Sequence, residues 1–367
     1  MNPNHTNLPP RSKSGGKGKK SSAPKRKKSG VKTFFKTILI ILLIAILSAA
    51  GYAGYLFFKG NEVIEKSGID KPVPPGQSAK EKPITMLLLG TDYRPKTGTY
   101  LTDVVMVVSM HPDTNTATLV SLPRDTLVEL DGYVPNKLNS YYPKFKAAFN
   151  KAEKKQPGSG IKPEDEMKVM MSKYMGVNID YVTVIDFQGF RDIVDTFGGV
   201  DVNVKYNMCH RDSADGTDIN LKAGPQKLDG AKALDYVRYR KSMNCNPKTK
   251  ESNDFDRNAR QSEVLHSLLD RMKSLGGVAK VGNALDAVSD NMITDLEQDQ
   301  IRNLIATYYD IKKDDVRFMP VTGEWRSPNV YINSAELEKA KQALQEELAG
   351  NHKAGTAGEE AEDTVSP

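Results

Sequence analysis

Arginine and aspartate recur at the ends of apolar segments in this chain, and they are the residues best suited to chemistry. Asp92 lies just after the apolar run ITMLLL, Asp103 opens the run VVMVVSM, and Arg124 lies just after ATLVSL. Arginine carries a planar, permanent positive charge that binds phosphate through two parallel hydrogen bonds. Two aspartates without histidine or cysteine suit a hard cation such as Mg²⁺, which itself binds diphosphates. The simplest ligand that explains both sets is a metal-bound pyrophosphate.

More residues of this kind follow in the second half of the chain. Arg238 and Arg240 stand two residues apart in YVRYR, and Asp254, Arg257 and Gln261 lie together in DFDRNARQ. Arginines that converge repel one another unless a multiply charged anion or interleaved carboxylates lie between them. The clustering therefore favours an anion site.

Each of these residues also has a purely structural explanation. A single Arg–Asp pair at a strand end is usually a surface ion pair that contributes about 0–1 kcal/mol. Arg238 and Arg240 fit one exposed strand face, Asp254 fits a helix cap, and Lys137 in NKLN fits a solvated side chain. The structural explanation is favoured for each residue alone, and only the clustering shifts the balance toward function.

The common enzyme signatures are missing from the sequence. It has no GxxxxGK[ST] loop, GxSxG elbow or HExxH motif, and no GxGxxG after a strand. With five histidines in the chain, a histidine-based nucleophilic triad has little support. The two cysteines, Cys209 and Cys245, leave a disulfide and two separate thiols equally open.

Strand and helix patterns alternate along the chain and predict the scaffold for these residues. Apolar runs predict strands at 84–89 and 104–110, and the second of these forms a hairpin with 116–122. Helical patterns alternate with further strand patterns. We expect an α/β fold, an αβα sandwich around one mixed central sheet, preceded by a transmembrane helix. The predicted helices lie at 164–175, 188–197, 229–236 and 256–273, and the further strands at 179–187 and 200–204.

The first sixty residues indicate a membrane anchor. Residues 1–32 hold ten Lys and Arg and no acid, and 37–58 is a run of 22 uncharged residues, long enough to cross a bilayer. The basic side faces the cytoplasm, which places the remainder outside the cell. A cleaved signal peptide is the less favoured alternative. The predicted parts are a disordered basic tail (1–36), a signal anchor (37–58), an extracellular linker (59–82), a catalytic domain (83–349) and a disordered tail (350–367).

The ordered motifs resemble the LytR-CpsA-Psr family of Gram-positive bacteria. The resemblance rests on ITMLLLGTDYR, LTDVVMVVSM, TATLVSLPRDTLVEL and NKLN in the first half. It continues through IDYVTVIDFQGFRDIVDTFGGVDVNV, KLDGAKALDYVRYRK and DFDRNARQSEVL. It covers about residues 83–275, and more weakly extends to about residue 345.

The resemblance implies a phosphotransferase of the cell envelope. Such enzymes move a phosphate-linked glycopolymer, such as wall teichoic acid or capsular polysaccharide, from a polyprenyl-diphosphate lipid to peptidoglycan. Asp92 and Asp103 would hold Mg²⁺ or Mn²⁺, Asp254 would orient the arginines, and Asp256 leaves open which of the two acids faces the site. The residues implied to bind the pyrophosphate are Arg124, Lys137, Arg238, Arg240, Arg257 and Gln261, of which Arg124 and Arg240 are also implied, with Asp254, to be catalytic.

Several functional alternatives stay open from the sequence. A transcriptional regulator is disfavoured, since the basic tail lacks a helix-turn-helix, and we expect no nucleic-acid partner. A non-catalytic receptor and a pyrophosphatase that uses water are the other candidates. Asp125 and Asp254 are both candidates for the proton acceptor. The apolar faces of the 188–197 and 256–273 helices are either a lipid groove or ordinary core.

Overall fold

The computed structural model describes residues 64–94, 99–213, 216–252, 254–272 and 277–352. Its strands are β1 (Ile84–Arg94), β2 (Thr99–His111), β3 (Thr116–Leu122), β4 (Leu127–Val128), β5 (Asn136–Lys137), β6 (Tyr181–Asp186), β7 (Val200–Val204), β8 (Met208–Asp212), β9 (Thr217–Leu221), β10 (Gly224–Leu228), β11 (Met292–Thr294), β12 (Val316–Pro320), β13 (Gly323–Arg326) and β14 (Asn329–Ile332). Its helices are α1 (Tyr141–Lys155), α2 (Pro163–Met175), α3 (Phe187–Thr196), α4 (Gly230–Arg238), α5 (Asp254–Met272), α6 (Gly277–Val288), α7 (Gln298–Tyr308) and α8 (Ser334–Leu348).

One mixed six-stranded sheet forms the centre, in the order β11-β6-β1-β2-β3-β12. Strands β1 and β6 run parallel, as do β3 and β12, whereas β2 is antiparallel to both β1 and β3. All residues of β3 are buried, because both faces of the sheet are covered. The mixed α/β fold predicted from the sequence is confirmed for the described residues.

The first face of the sheet is closed by α1, α2 and α8. Side chains of β1, β2 and β3, such as Leu87, Val107 and Val120, meet Met171 of α2 and Leu344 of α8, and all of these are at most 2% exposed. Helix α2 begins with Pro163 at its first position and ends at Gly176, whose φ of 68° suits a left-handed cap. Helix α1 was not predicted from the sequence.

The second face is covered by α7 and part of α5, and then opens toward α3 and α4. Val108 and Leu119 of the sheet pack with Tyr308 of α7 and with Leu265 and Leu269 of α5. Beyond this region, another apolar cluster joins α4 and α5 to the antiparallel pair β7–β10 and to the β8–β9 hairpin that connects these two strands.

Part of the predicted linker packs against the domain. Ile64 and Ala79 are buried with Ile301 of α7, and the Ala79 backbone N–H donates to Gln300 Oε1 at 3.0 Å. At the other end, His352 is buried and bonds Glu347. The predicted tail 1–36, the anchor 37–58 and residues 353–367 lie outside the described residues. Among the described helices, none is both long and apolar enough to cross a membrane.

Candidate active site

The candidate residues follow strands that point in the same direction. Because β2 is antiparallel to both β1 and β3, the carboxyl ends of β1 and β3 lie at one edge of the sheet, together with those of their parallel neighbours β6 and β12. Asp92 lies near the carboxyl end of β1, and Arg124 lies two residues after the end of β3, so both are at this edge. Ligands of α/β sheets commonly bind outside the carboxyl ends of strands.

A β-bulge directs Asp103 into the site. Gly90 pairs with Val104 and Thr91 pairs with Thr102, so Asp103 is the extra residue between two regular pairs. A bulge turns the side chain of its extra residue away from the regular alternation. A Cβ at Gly90 would lie 2.8 Å from the Val104 Cβ, so this close approach needs glycine. As a result, Asp103 lines the cavity described below.

Arg124 is held between two carboxylates. Its NH1 donates to Asp103 Oδ1, and its Nε lies 3.4 Å from Asp125 Oδ2. Burial would lower the pKa of Arg124, but Asp103 and Asp125 outweigh it, and the pKa is raised. The guanidinium therefore stays charged and fixed in orientation.

Asp125 joins Arg124 to Lys137. Its Oδ1 accepts from Lys137 Nζ at 3.1 Å, and Asn139 Nδ2 lies 3.5 Å from the same oxygen. Burial would raise the pKa of Asp125, but the positive charges of Arg124, Lys137 and Arg240 outweigh it and lower the pKa below its usual value. Asp125 therefore orients two cations and is a weak proton acceptor.

Arg238 occupies the last turn of α4, where a cation is stabilised by the helix dipole. Its guanidinium carbon lies 4.7 Å from the centre of the Phe187 ring, and its NH2 lies 3.8 Å from Asp92 Oδ2. The aromatic face and the carboxylate together hold the arginine at the start of α3. Asp92 itself is only 9% exposed.

Arg240 lies on the loop between α4 and α5. Its carbonyl accepts from the Ser252 backbone N–H at 2.7 Å, which brings the two ends of the loop together. A disulfide between Cys209 and Cys245, with Cα atoms 6.1 Å apart, ties the same loop to β8. The sequence left open whether Cys209 and Cys245 form a disulfide or remain two thiols, and the structure has the disulfide.

Helix α5 presents one continuous stripe to the cavity. Arg257 and Gln261 are one turn apart on it, and Val264, Leu265 and Leu268 continue the same face. The stripe is polar near the start of the helix and apolar further along. One helix thus lines both chemical halves of the cavity.

Arg260, on the same helix, has a different role. It is 4% exposed, and its Nε and NH2 donate to the carbonyls of Tyr236 and Tyr239 at 2.7 and 2.6 Å. These carbonyls lie at the end of α4, where the helix leaves backbone acceptors without intrahelical partners. Arg260 therefore fixes the segment that carries Arg238 and Arg240.

A cavity of about 720 Å³ lies between the second sheet face and helices α3, α4 and α5. Its volume is typical of sites for organic ligands. Its charged and polar lining includes Asp103, Arg124, Arg238, Arg240, Arg257 and Gln261. The remaining lining is mostly apolar: Leu88, Val104, Met106, Ile185, Phe187, Phe190, Ile193, Ile219, Leu234, Val237, Val264, Leu265 and Leu268.

Asp254 is the first residue of α5, and its side chain lies outside what the structure describes. Its predicted role in orienting the arginines stays a prediction. Asp256 lies 3.4 Å from the hydroxyl of Tyr206, a residue packed against the apolar cluster of the two hairpins. Lys137 does not line the cavity. It donates to Asp125, and its Nζ lies 5.5 Å from the ring centre of Trp325, which does line the cavity.

The sequence did not single out several lining residues. Phe187, Glu251 and Trp325 all line the cavity. The signal available in the sequence was that Trp325 is the one tryptophan of the chain, but its place in the cavity lining depends on tertiary packing.

Comparison with known proteins decides the family. The model of the LytR_cpsA_psr family matches residues 54–352. The chain belongs to the LytR_cpsA_psr family. The resemblance noted in the motifs is thereby confirmed.

Curated members of the LytR_cpsA_psr family that resemble this chain are named as teichoic acid transferases. The polyisoprenyl-teichoic acid–peptidoglycan teichoic acid transferase TagV of Bacillus subtilis (strain 168) is 29% identical over 331 residues, which cover 85% of this chain and 78% of TagV. TagU of the same strain is 28% identical over 295 residues, covering 79% of this chain and 86% of TagU.

Solved structures of the family share the fold. The crystal structure of B. subtilis TagV matches with a TM-score of 0.55 and 28% identity, over 74% of this chain and 98% of TagV. The structure described as TagT bound to LIIa-WTA matches with a TM-score of 0.52 and 24% identity, over 74% of this chain and 93% of that chain.

Proposed function

We propose that this chain is a phosphotransferase that moves a phosphate-linked anionic glycopolymer from a polyprenyl-diphosphate lipid to peptidoglycan. Wall teichoic acid and capsular polysaccharide are the candidate polymers. One observation carries the proposal: a single cavity of about 720 Å³ is lined both by several arginines and by a larger set of apolar side chains. A polyprenyl diphosphate likewise combines a charged head with an apolar chain. The transferase names of TagV and TagU support the same reaction class.

The donor would lie along the cavity with its diphosphate among Arg124, Arg238, Arg240, Arg257 and Gln261. The first isoprene units would contact the apolar faces of α3, α4 and α5. For α3 and α5, the sequence left open whether these faces form a groove or ordinary core. Several arginines stabilise the charge that develops on the transferring group, and each can bind a phosphate through two hydrogen bonds. Lys137 would act through Asp125, by holding its carboxylate against Arg124.

Asp92 and Asp103 would hold Mg²⁺ or Mn²⁺. Among the described residues, no group of three or more His, Cys, Asp or Glu forms a metal site. Two carboxylates fit a hard cation such as Mg²⁺, which takes oxygen ligands. The chemistry that it supplies is neutralisation of the diphosphate charge.

The reaction is a displacement at the phosphorus that bears the glycopolymer. A hydroxyl oxygen of the wall glycan forms a bond to this phosphorus, and the bond from phosphorus to the bridging oxygen breaks. Prenyl monophosphate leaves with the electron pair, stabilised by the arginines. The hydroxyl proton passes to a base, for which the lowered pKa of Asp125 makes that residue a poor choice. Asp254 is the base that we propose.

The predicted anchor at 37–58 would hold the catalytic domain outside the cell, on the surface where the lipid donor lies. Enzyme and donor confined to one membrane surface meet more often than they would in free solution. We propose the cytoplasmic membrane as the location, with the N-terminus inside.

The test is a transfer assay with the full chain in detergent, a lipid-linked donor with labelled glycopolymer, and peptidoglycan. The expected product is label attached to the wall polymer, and Arg240→Ala is expected to lose this product while remaining folded. Arg302→Ala on α7, paired with Asp299, is the matched control and should transfer normally. Label released to water would favour a pyrophosphatase, and donor binding without any product would favour a receptor.

A further inference from the structure

Trp325 is the one tryptophan of the chain and stands at the rim of the cavity. It lies on β13 and is 53% exposed. Tryptophan is normally well buried, because the indole ring carries a large apolar area. An indole that is more than half exposed at a cavity lined by arginines is therefore placed to contact a bound ligand.

The hairpin that carries Trp325 is fixed to the segment that carries Arg124. The Val330 backbone N–H donates to the Asp125 carbonyl at 2.9 Å, and Thr126 forms a bridge with Val330. Thr126 and Val330 are both buried. Trp325 is paired with Val330 across the hairpin, so its position relative to Arg124 is set by backbone hydrogen bonds.

Lys137 connects the indole to the charged end of the cavity. Its Nζ lies 5.5 Å from the centre of the Trp325 ring and 3.1 Å from Asp125 Oδ1. A cation near an aromatic ring is attracted by the negative charge of the ring face. The ammonium group is therefore held over one face of the ring, and the opposite face is left to a ligand.

An exposed indole with a lysine beside it, which is itself bonded to a carboxylate, suits a saccharide. The C–H groups on one side of a pyranose ring carry a small positive charge and pack on the negative face of an aromatic ring. The hydroxyl groups around the sugar ring can bond Lys137 and neighbouring polar groups. Ligand sites commonly combine an aromatic surface with a few placed polar groups in this manner.

The direction of the reaction selects between two saccharides, that of the donor and that of the acceptor. In the proposed displacement the nucleophile enters opposite the leaving oxygen. The leaving prenyl phosphate lies toward the apolar body of the cavity, so the nucleophile enters from the rim. We propose that Trp325 is the stacking surface for the acceptor sugar of the wall glycan, an inference that rests on the proposed function.

The single tryptophan makes this proposal directly measurable. Emission of the full chain in detergent reports Trp325 alone, and we expect a lipid-free peptidoglycan oligosaccharide to shift it in a saturable manner. Lipid-free glycopolymer of the donor should not. An unchanged emission with the wall oligosaccharide, or a shift with the donor glycan only, overturns the proposal.

Steady-state kinetics of Trp325 variants provide a second test of the proposal. Trp325→Ala is expected to raise KM for the wall acceptor about tenfold, with donor KM unchanged, and Trp325→Phe should recover much of the loss. Tyr331→Ala is the matched control, because Tyr331 is an exposed aromatic residue on β14 whose side chain alternates to the other hairpin face. An acceptor KM that is unchanged in Trp325→Ala contradicts the proposal.

The two arms separate failure of this inference from failure of the proposed function. If no transfer occurs but wall oligosaccharide still shifts the emission, the saccharide surface stands and the transferase proposal falls. If transfer occurs and the emission stays flat, the transferase stands and the role of Trp325 falls.

Discussion

The two faces of the central sheet are built from the same kinds of side chain and serve different purposes. On β2, Val107 points into a closed core and is 0% exposed, whereas its neighbour Met106 lines a cavity of about 720 Å³. On the closed face, α1, α2 and α8 pack directly on the strands. On the open face, α4 and α5 also pack against the β7–β10 and β8–β9 strand pairs, and Arg260 joins the two helices. The apolar side chains of this face therefore line a cavity where α4 and α5 pack partly against strands outside the central sheet.

The largest expected effect comes from the charged end of the open face. Arg124→Ala should lower the rate of transfer about 1,000-fold, because it removes a donor that stabilises the transferring phosphoryl group. The side chain is only partly buried, so unfolding in urea should change little. Steady-state rates of labelled transfer measure the effect, with Arg302→Ala as the control. A rate within a few-fold of wild type would show that Arg124 does not contact the reacting group.

The support of the open face is tested by Arg260→Met. The change leaves the carbonyls of Tyr236 and Tyr239 without the donor that they now have, at a cost of about 2–4 kcal/mol in the free energy of unfolding. Urea denaturation followed by circular dichroism measures it. Unchanged stability would mean that α4 keeps its position without this arginine.

Substitutions of Val107 and Met106, which are neighbours on β2, allow a direct comparison of the two faces. Val107→Ala should lower the free energy of unfolding by about 2 kcal/mol, because it creates a void in a closed core. Met106→Ala should cost less than about 1 kcal/mol, because its side chain already borders open space. Met106→Trp should instead weaken prenyl diphosphate binding by filling the cavity. Equal costs for the two alanine variants would remove the distinction between the faces.

The smallest expected effect depends on pH. Burial raises the pKa of Asp235 on α4 to about 6, against the attraction of Arg238. The folded state then binds the proton more tightly than the unfolded chain, so this residue lowers stability as pH rises from about 4 through 6. Asp235→Asn should therefore raise the melting temperature by a few degrees at pH 7.5 and have no effect near pH 4. A gain of equal size at both pH values would indicate another cause.

Much of the scaffold was predictable from the sequence. The apolar runs of β1, β2 and β3 alternate with turns that fit a hairpin, and the α5 stripe has a clear helical period. Helix α1 was missed, since its sequence YYPKFKAAFNKAEKK has a proline near its start and few apolar residues. The predicted anchor and tails stay predictions, because they lie outside the described residues.

The types of residue at the site were predictable from the sequence, but most contacts between these residues were not. The arginines and aspartates stand at strand and helix ends, where sequence patterns locate them. The bulge at Asp103, the stacking of Arg238 on Phe187 and the position of Trp325 depend on contacts between distant segments. Local patterns carry no information on such contacts. Arg257 and Arg260 illustrate this point, because they are three residues apart and only tertiary structure assigns one to the cavity and the other to the scaffold.

The most direct test of the account is equilibrium binding of a short-chain prenyl diphosphate to the full chain in detergent. We expect much tighter binding of this ligand than of the corresponding prenyl alcohol or of inorganic diphosphate alone, because the proposed donor site contacts both halves. We also expect Arg238→Gln to weaken binding of the prenyl diphosphate but not of the alcohol. Equal affinity for prenyl diphosphate and inorganic diphosphate would contradict the account, since the apolar body would then contribute nothing to recognition.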